Sequence, residues 1–186
     1  EKVLLLKKAQ DVISGRIPVI INIAEQSTAD AIAAAQAAEA NGADGLMLLP
    51  PMRYKATDEE TVQYFAAIAQ STKLPIMIYN NPATCKVDMS PEFMLHMVKS
   101  IPHATMIKES TGDIQRMHKI YELSNGTVPF FNGCNHLALD ALAAGAAGWC
   151  TAAPCLIAKK PKNGILDFIP PITNKNLFYL VGTLYA

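Results

Sequence analysis

The sequence carries no excess of charge of either sign. Lys plus Arg and Asp plus Glu each number 16 among 186 residues, so the formal net charge is +0. This balance gives no indication of a nucleic acid or another polyanion as a partner. The longest apolar runs are far shorter than the roughly 20 residues of a membrane-spanning helix, and no signal-peptide pattern opens the chain. We therefore expect a cytoplasmic protein that binds neither nucleic acid nor membrane.

Motifs for metals, disulfides and nucleotides are also missing. The four cysteines show no CxxC spacing, which predicts free thiols in a reducing compartment; they are Cys85, Cys134, Cys150 and Cys155. No group of His, Cys, Asp and Glu has the spacing of a metal site. No GxGxxG or P-loop pattern follows a predicted strand, which argues against a nucleotide-binding sheet. We expect no cofactor.

What the chain does contain is a regular alternation of strands and helices. Short apolar segments recur about every 20 to 30 residues with helical patterns between them, which predicts repeated βαβ units. The predicted strands cover residues 18–23, 45–49, 75–80, 104–108, 129–132 and 148–151. Such units build either a barrel or a doubly wound sheet. Because chemically active groups follow several of the strands, we favour the barrel.

Lys108 is the most informative residue of the chain. Three of the four residues before it are apolar, and Thr105 to Ile107 predict a strand that is buried on both faces, as in a parallel sheet. Lys108 ends that strand, at the edge where α/β folds place their active sites. A buried lysine loses proton affinity and becomes a nucleophilic amine that can form a Schiff base. The alternative is a lysine that ends the strand and reaches solvent.

The preceding strand ends in a second reactive group. The segment 75–82 is apolar as far as Tyr79. Tyr79 and Lys108 are therefore predicted to end consecutive parallel strands, about 4.8 Å apart. A phenol beside an imine-forming amine can transfer the protons that formation and breakdown of a carbinolamine require. The alternative is a tyrosine at the rim that only packs and forms hydrogen bonds.

Four motifs give the chain a family resemblance. They are ANGADGLMLLPP, IYNNP, MIKESTGD and NGCNHLALDALAAGAAG, in that order. Over about residues 1–158 the chain resembles the dihydrodipicolinate synthase/N-acetylneuraminate lyase family of class I aldolase-type (β/α)8 TIM barrels. The resemblance implies a homo-oligomeric lyase or synthase, a dimer or tetramer, that acts on pyruvate or a related 2-oxo acid through a lysine iminium. It implies Lys108 as the Schiff-base lysine and Tyr79 as the proton-relay tyrosine.

The chain departs from a complete member of that family. It begins at what resembles the helix after the family's second strand, which leaves about six βα units of a (β/α)8 barrel, with the first two missing. It lacks the Gly-Thr-Thr type segment that holds the substrate carboxylate in family members. We assign residues 1–158 to the barrel units and residues 159–186 to an atypical C-terminal tail. A truncated, catalytically inactive barrel is therefore an alternative to an enzyme.

Further residues align with the family's substrate contacts. Thr84 occupies the position of an arginine that reads the aldehyde substrate in the family's synthases. Arg53 and Tyr54 lie where those synthases have a tyrosine pair, with the register off by one. Arg53 is a candidate to pair with a distal carboxylate of the substrate, and a solvated loop arginine is the equal alternative. Gly133 and Asn135 align with the segment at the far end of the substrate, and the alternative for Asn135 is a helix N-cap.

The departures at Thr84 and at Arg53-Tyr54 bear on the choice of substrate. Both argue against dihydrodipicolinate synthase proper, which remains the alternative. They favour family members that act on sugar-derived or hydroxyproline-derived 2-oxo acids. Aldol cleavage, condensation and dehydration all remain open.

Overall fold

The strands form one parallel sheet. The computed structural model describes residues 1–152 and 179–181. Its strands are β1 (Val19–Ile23), β2 (Gly45–Leu48), β3 (Ile76–Asn80), β4 (Ala104–Glu109), β5 (Phe130–Asn132), β6 (Gly148–Trp149) and β7 (Tyr179–Val181). They lie in the order β6-β5-β4-β3-β2-β1-β7, and every neighbouring pair is parallel. Strands β1 to β6 follow one another in chain order and curl into a half-barrel, which confirms the predicted incomplete (β/α)8 architecture.

One helix precedes β1, and the others connect the successive strands from β1 to β6. The helices are α1 (Lys2–Ile13), α2 (Thr28–Ala40), α3 (Asp58–Gln70), α4 (Pro82–Cys85), α5 (Pro91–Ser100), α6 (Ile114–Ser124) and α7 (Ala138–Ala143). Ser27, Thr57 and Ser90 begin three of them, because each side chain accepts a hydrogen bond from a backbone N–H of the first turn. Thr57 and Glu60 form the predicted capping box. The sequence pattern does not reveal α4, a single turn directly after β3.

The central strands are buried on both faces, as predicted for parallel strands, except at the start of β4. There Thr105 is exposed and Met106 half-buried, so the burial predicted for Thr105 to Ile107 is complete only at Ile107. Every residue of β1, β2 and β3 is buried. Helix α2 packs through Ala31, Ala35 and Ala38, which are at most 3% exposed. Small side chains let this helix lie close to its neighbours, and interiors packed in this way resist displacement. The carboxyl edge of the sheet is therefore a rigid support for the polar groups that follow the strands.

The pairing of β3 with β4 determines which side chains meet at that edge. Tyr79 is paired with Lys108, and Asn80 with Glu109. Lys108 is paired in turn with Phe131 of β5. Successive side chains of a strand point to opposite faces. Tyr79, Lys108 and Phe131 therefore share one face of the sheet, whereas Asn80 and Glu109 share the other, and the predicted adjacency of Tyr79 and Lys108 is confirmed.

A one-residue irregularity in β4 produces this pairing. The register shifts after Ile76, which is paired with Ala104, so that Met77 is paired with Met106 and Thr105 has no partner in β3. An extra residue of this kind is a β-bulge. Without it, continuation of the first pair would place Lys108 opposite Asn80 instead of Tyr79. The bulge at Thr105 thus moves the lysine onto the same face as the tyrosine.

The predicted C-terminal tail, residues 159–186, lies outside the described residues apart from β7, whose backbone pairs with β1. Within residues 1–152 and 179–181, no helix has the length and apolar character that crossing a membrane requires.

Candidate active site

The Lys108 amine lies against the Tyr79 ring. Lys108 Nζ is 3.9 Å from the centroid of that ring. Lys108 is 5% exposed and Tyr79 is 6% exposed, so Lys108 does not extend into solvent as the alternative interpretation required. An ammonium over an aromatic face gains about 0.5–2 kcal/mol, whereas burial disfavours the charged form. The ring therefore fixes the position of the buried Lys108 amine.

The Tyr79 hydroxyl is oriented by a neighbour that the sequence pattern does not single out. Asn81 Nδ2 donates a hydrogen bond to Tyr79 Oη at 3.0 Å. Asn81 is itself held by the turn of α4, because its carbonyl oxygen accepts the backbone N–H groups of Thr84 and Cys85, each at 3.0 Å. The Asn-Pro step after an apolar strand, which is typical of a turn, was the available signal. The unpredicted helix α4 thus serves to orient the phenol.

Gly133 allows the loop after β5 to approach Lys108. The Gly133 N–H donates a hydrogen bond to the Glu109 carbonyl oxygen at 2.8 Å. A Cβ at position 133 would lie 1.7 Å from Ser110 Oγ and 3.1 Å from Lys108 Cε. Only a residue without a side chain fits here. The structure therefore places the predicted site residue Gly133 beside the stem of the lysine.

Ser110 is a candidate site residue that the sequence motifs do not identify. Its Oγ is buried and has no hydrogen-bond partner among the residues described. A buried hydroxyl without a partner is costly, so this atom marks a place where a polar ligand atom would be stabilised. The available signal was spacing, because residues two apart along an extended chain lie on the same face. Ser110 follows Lys108 at that spacing.

Three of the remaining candidates are exposed at the carboxyl edge of the sheet. Thr84 lies in α4, directly after the strand that carries Tyr79. Arg53 and Tyr54 lie in the loop between β2 and α3, and Tyr54 is 59% exposed. Thr84 follows β3, which pairs with β4, the strand of Lys108, whereas Arg53 and Tyr54 follow β2, which pairs with β3 and lies one strand further away. Their exposure is suitable for contact with a ligand but does not by itself identify one.

Asn135 begins a short 3₁₀ helix, Asn135–Leu137, that directly precedes α7. Its Oδ1 accepts a hydrogen bond from Thr151 Oγ1 at 2.8 Å, which links the ends of β5 and β6. The alternative role as a helix N-cap is not observed, because Cys134 is the N-cap of the 3₁₀ helix and Leu137 is the N-cap of α7. Asn135 therefore ties two loops together at the same edge as Lys108.

Two thiols near Lys108 are poorly suited to act as the nucleophile in its place. Burial raises the pKa of Cys134, and the Glu109 carboxylate raises it further, against an opposing effect of the Lys108 charge. Burial also raises the pKa of Cys150, again opposed by Lys108. The thiolate is the reactive form, so both shifts favour the inert thiol. Within the described part of the chain, no cluster of His, Cys, Asp and Glu is suited to a metal ion.

A cavity of about 390 Å³ lies elsewhere, between α1, α2 and β1. Its walls are mostly apolar and include Leu6, Ile21 and Ile23. The amine there belongs to Lys2, which forms an ion pair with Glu25 at 2.5 Å. Neither Lys108 nor Tyr79 lines this cavity, so its size does not identify it as the site of the lysine chemistry.

Comparisons with known proteins agree with the resemblance inferred from the motifs. A family model described as the dihydrodipicolinate synthetase family matches residues 1–166. The chain is 36% identical over 153 residues to the 4-hydroxy-tetrahydrodipicolinate synthase of Persephonella marina, an alignment that covers 82% of this chain and 52% of that protein. The chain spans about half the length of the curated relatives it matches.

Solved structures give the same result. The 4-hydroxy-tetrahydrodipicolinate synthase of Methylacidiphilum fumariolicum matches with a TM-score of 0.79 and 31% identity, over 84% of this chain and 52% of that one. The dihydrodipicolinate synthase of Acinetobacter baumannii, solved in complex with pyruvate, matches with a TM-score of 0.78 and 31% identity, over 82% of this chain and 52% of that one.

Gly133→Ala is expected to destabilise the protein, because the added methyl group would overlap Ser110 Oγ and press on the Lys108 stem. Overpacking of this kind costs about 1–3 kcal/mol of the free energy of unfolding. Denaturant unfolding measures the loss. The double variant Ser110→Gly/Gly133→Ala removes the obstructing serine side chain and should recover most of the lost free energy of unfolding. An unchanged free energy in the single variant would contradict the close approach of the two loops.

Proposed function

The chain belongs to the dihydrodipicolinate synthetase family, and from that premise we propose that it is a Schiff-base lyase or synthase acting on pyruvate or a related 2-oxo acid. The observation that carries this proposal is the buried Lys108 amine against the Tyr79 ring. The relative from Acinetobacter baumannii, which was solved with pyruvate, supports the class of substrate.

The proposed reaction begins when Lys108 Nζ attacks the keto carbon of the substrate. Only a neutral amine can attack, and burial of the side chain favours that form. A proton moves from the nitrogen to the former carbonyl oxygen, giving a carbinolamine. Protonation of its hydroxyl group then lets water leave, and an iminium remains on Lys108. Ser110 Oγ, which is buried near the stem of the Lys108 side chain, would hydrogen-bond an oxygen of the substrate during these steps.

The iminium then acts as an electron sink. Electrons from a breaking carbon–carbon bond, or from a carbon–hydrogen bond next to the imine carbon, can move onto the positively charged nitrogen and give an enamine. The enamine can return these electrons to the carbon chain and expel a β-leaving group, which departs with its own bonding electrons. Aldol cleavage, condensation and dehydration share this intermediate and differ only in what leaves or adds. Hydrolysis of the final imine releases the product and restores the Lys108 amine. One site therefore serves the whole class of reactions.

Tyr79 is proposed to carry the protons that these steps exchange. Its ring lies on the same face as the amine, and Asn81 orients its hydroxyl through the 3.0 Å hydrogen bond. A positioned acid–base group of this kind typically contributes a factor of about 10² to 10⁴ in rate. Asn81 is thus assigned the role of holding the phenol in its working orientation.

Dihydrodipicolinate synthase proper is a second candidate for the finer activity. The specific observation in its favour is the name 4-hydroxy-tetrahydrodipicolinate synthase, which the curated relatives from Persephonella marina and Bacillus subtilis carry. Against it stands Thr84, exposed in α4 where the resemblance places an arginine. Threonine carries no charge for an aldehyde substrate's carboxylate. We therefore favour a sugar-derived or hydroxyproline-derived 2-oxo acid.

Assembly and compartment are proposed on the same family membership. We propose that the protein works as a homo-oligomer in the cytoplasm. Its ligand in this proposal is a small-molecule 2-oxo acid, which the buried amine of Lys108 would bind covalently.

Lys108→Ala should abolish the adduct that pyruvate and borohydride form on the unmodified chain, because borohydride traps the imine as a stable amine. Intact mass and peptide mapping detect the adduct. Lys55→Ala, at an exposed loop position, is the matched control and should retain it. An adduct that persists in Lys108→Ala or maps to Lys55 or Lys86 would contradict the assignment. The absence of any adduct on the unmodified chain would favour the inactive barrel.

Tyr79→Phe should leave the fold intact and lower turnover by about 10² to 10⁴, the usual contribution of a positioned acid–base group. The apparent affinity for substrate should change far less, because the hydroxyl acts on the steps that form and break the imine. Steady-state kinetics separates the two effects. Tyr64→Phe is the control, since Tyr64 is a buried tyrosine of α3. Equal losses in the two variants would show that Tyr79 only packs.

Substrate choice can be measured with parallel assays. We expect little condensation of pyruvate with aspartate semialdehyde and clear turnover of a 2-oxo-3-deoxy sugar acid or a related hydroxylated 2-oxo acid. The physical reason is the missing positive charge at Thr84. Robust formation of dihydrodipicolinate in a coupled assay would select the second candidate instead.

A further inference from the structure

A buried carboxylate follows directly after the lysine, on the opposite face of the sheet. Glu109 is 0% exposed. Its Oε1 accepts the Thr111 N–H at 2.7 Å. Its Oε2 accepts Asn80 Nδ2 at 3.1 Å and Arg116 Nε at 3.4 Å. A buried carboxylate is tolerated only when it is paired and hydrogen-bonded, and here both oxygens meet donors.

The partners of Glu109 are themselves fixed to the loop after α4. Arg116 forms an ion pair with Asp88 at 2.9 Å and donates to the Met89 carbonyl oxygen at 2.5 Å. Asn80 Oδ1 accepts the Met89 N–H at 3.1 Å. The network therefore joins β3, β4, the start of α6 and the loop that follows α4. We call these residues, Asn80, Asp88, Glu109 and Arg116, the strand-end network.

The strand-end network holds the segments that carry the candidate chemistry. Asn80 adjoins Tyr79 in the chain, and Glu109 adjoins Lys108. Thr111, which donates its N–H to Glu109, directly follows Ser110. The Ser110 N–H donates in turn to the Asn80 carbonyl oxygen at 3.0 Å. A shift of the Glu109 side chain would therefore be transmitted through the backbone to both reactive groups.

We propose that Glu109 is a positioning residue, whose carboxylate fixes Lys108 relative to Tyr79 at the spacing that imine formation requires. This inference rests on the proposed function. A misplacement of reacting groups by about 1 Å can lower a rate by about 10². The charge of Glu109 matters as well as its shape. Both carboxylate oxygens accept from N–H donors, so an amide in its place would set an NH₂ group against one of these donors.

The test measures imine formation in a single turnover, by quenching the full chain with borohydride at increasing times after addition of pyruvate. Glu109→Gln preserves the volume of the side chain and should slow adduct formation at saturating pyruvate by about 10- to 100-fold. The half-saturating concentration of pyruvate should change by less than about threefold, since the loss lies in the positioning of the amine. Thermal unfolding shows that the comparison is made on folded protein.

Asp44→Asn is the matched control. The Asp44 carboxylate also accepts a backbone N–H, that of Val19 at 2.7 Å, but at the opposite edge of the sheet. It should leave the rate of adduct formation unchanged. If Glu109→Gln does not fold, Arg116→Lys replaces it. This change keeps the positive charge and removes the reach to both Glu109 and Met89. The rate of adduct formation should fall in this variant as well.

The outcomes separate the two proposals. An unmodified chain that forms no adduct would overturn the proposed function and with it the positioning role. An unmodified chain that forms the adduct, together with a folded Glu109→Gln variant that reacts equally fast, would overturn the positioning role alone. A variant with lowered thermal stability but an unchanged rate would likewise overturn that role, because Glu109 would then only stabilise the fold. An unchanged rate in Arg116→Lys, where Glu109→Gln fails to fold, would also overturn it.

Discussion

The register between β3 and β4 is the constraint on which the candidate site depends. The bulge at Thr105 displaces the pairing by one residue, so that Tyr79 rather than Asn80 lies opposite Lys108. A one-residue slip moves every later side chain to the other face of a sheet. The register is held by burial, since Ile78 and Ile107 are paired and each is 0% exposed. Burying such a side chain contributes about 1.5–3 kcal/mol, which makes the slipped arrangement costly.

With that register, the side chains at the carboxyl edge of the sheet form two rows, one on each face, and the two rows have different roles. One row contains Tyr79, Lys108 and Phe131 and holds the proposed chemistry. The other row ends three successive strands in buried polar side chains: Asn80, Glu109 and Asn132, all 0% exposed. Each of these three accepts a backbone N–H of the loop that follows its own strand. The row of Asn80, Glu109 and Asn132 therefore fixes the loops that surround the lysine. The row of Tyr79, Lys108 and Phe131 does not have to stabilise these loops and can carry the reactive groups.

The sequence pattern predicted those features of the fold that depend on local residue order and on the order of the strands. Apolar runs that end at Tyr79 and Lys108 predicted parallel strands with neighbouring ends, and the capping box at Thr57 predicted the start of α3. Contacts between distant segments left no local signal. The steric need for Gly133 arises only when the loop after β5 meets Ser110, and Glu109 resembles an ordinary acidic residue until Asn80, 29 residues earlier, is brought beside it. The exposed candidates Thr84, Arg53 and Tyr54 rest on the resemblance, because their side chains are not fixed by burial.

The central claim is that Lys108 forms the imine on the face of the sheet that it shares with Tyr79. A crystal structure of the chain after treatment with pyruvate and borohydride tests it directly. We predict continuous density from Lys108 Nζ to the carbon that was the keto carbon of pyruvate, with the Tyr79 ring on the same face and Ser110 Oγ near an oxygen of the adduct. Density on another lysine, or a Tyr79 ring on the opposite face from the adduct, would contradict the claim.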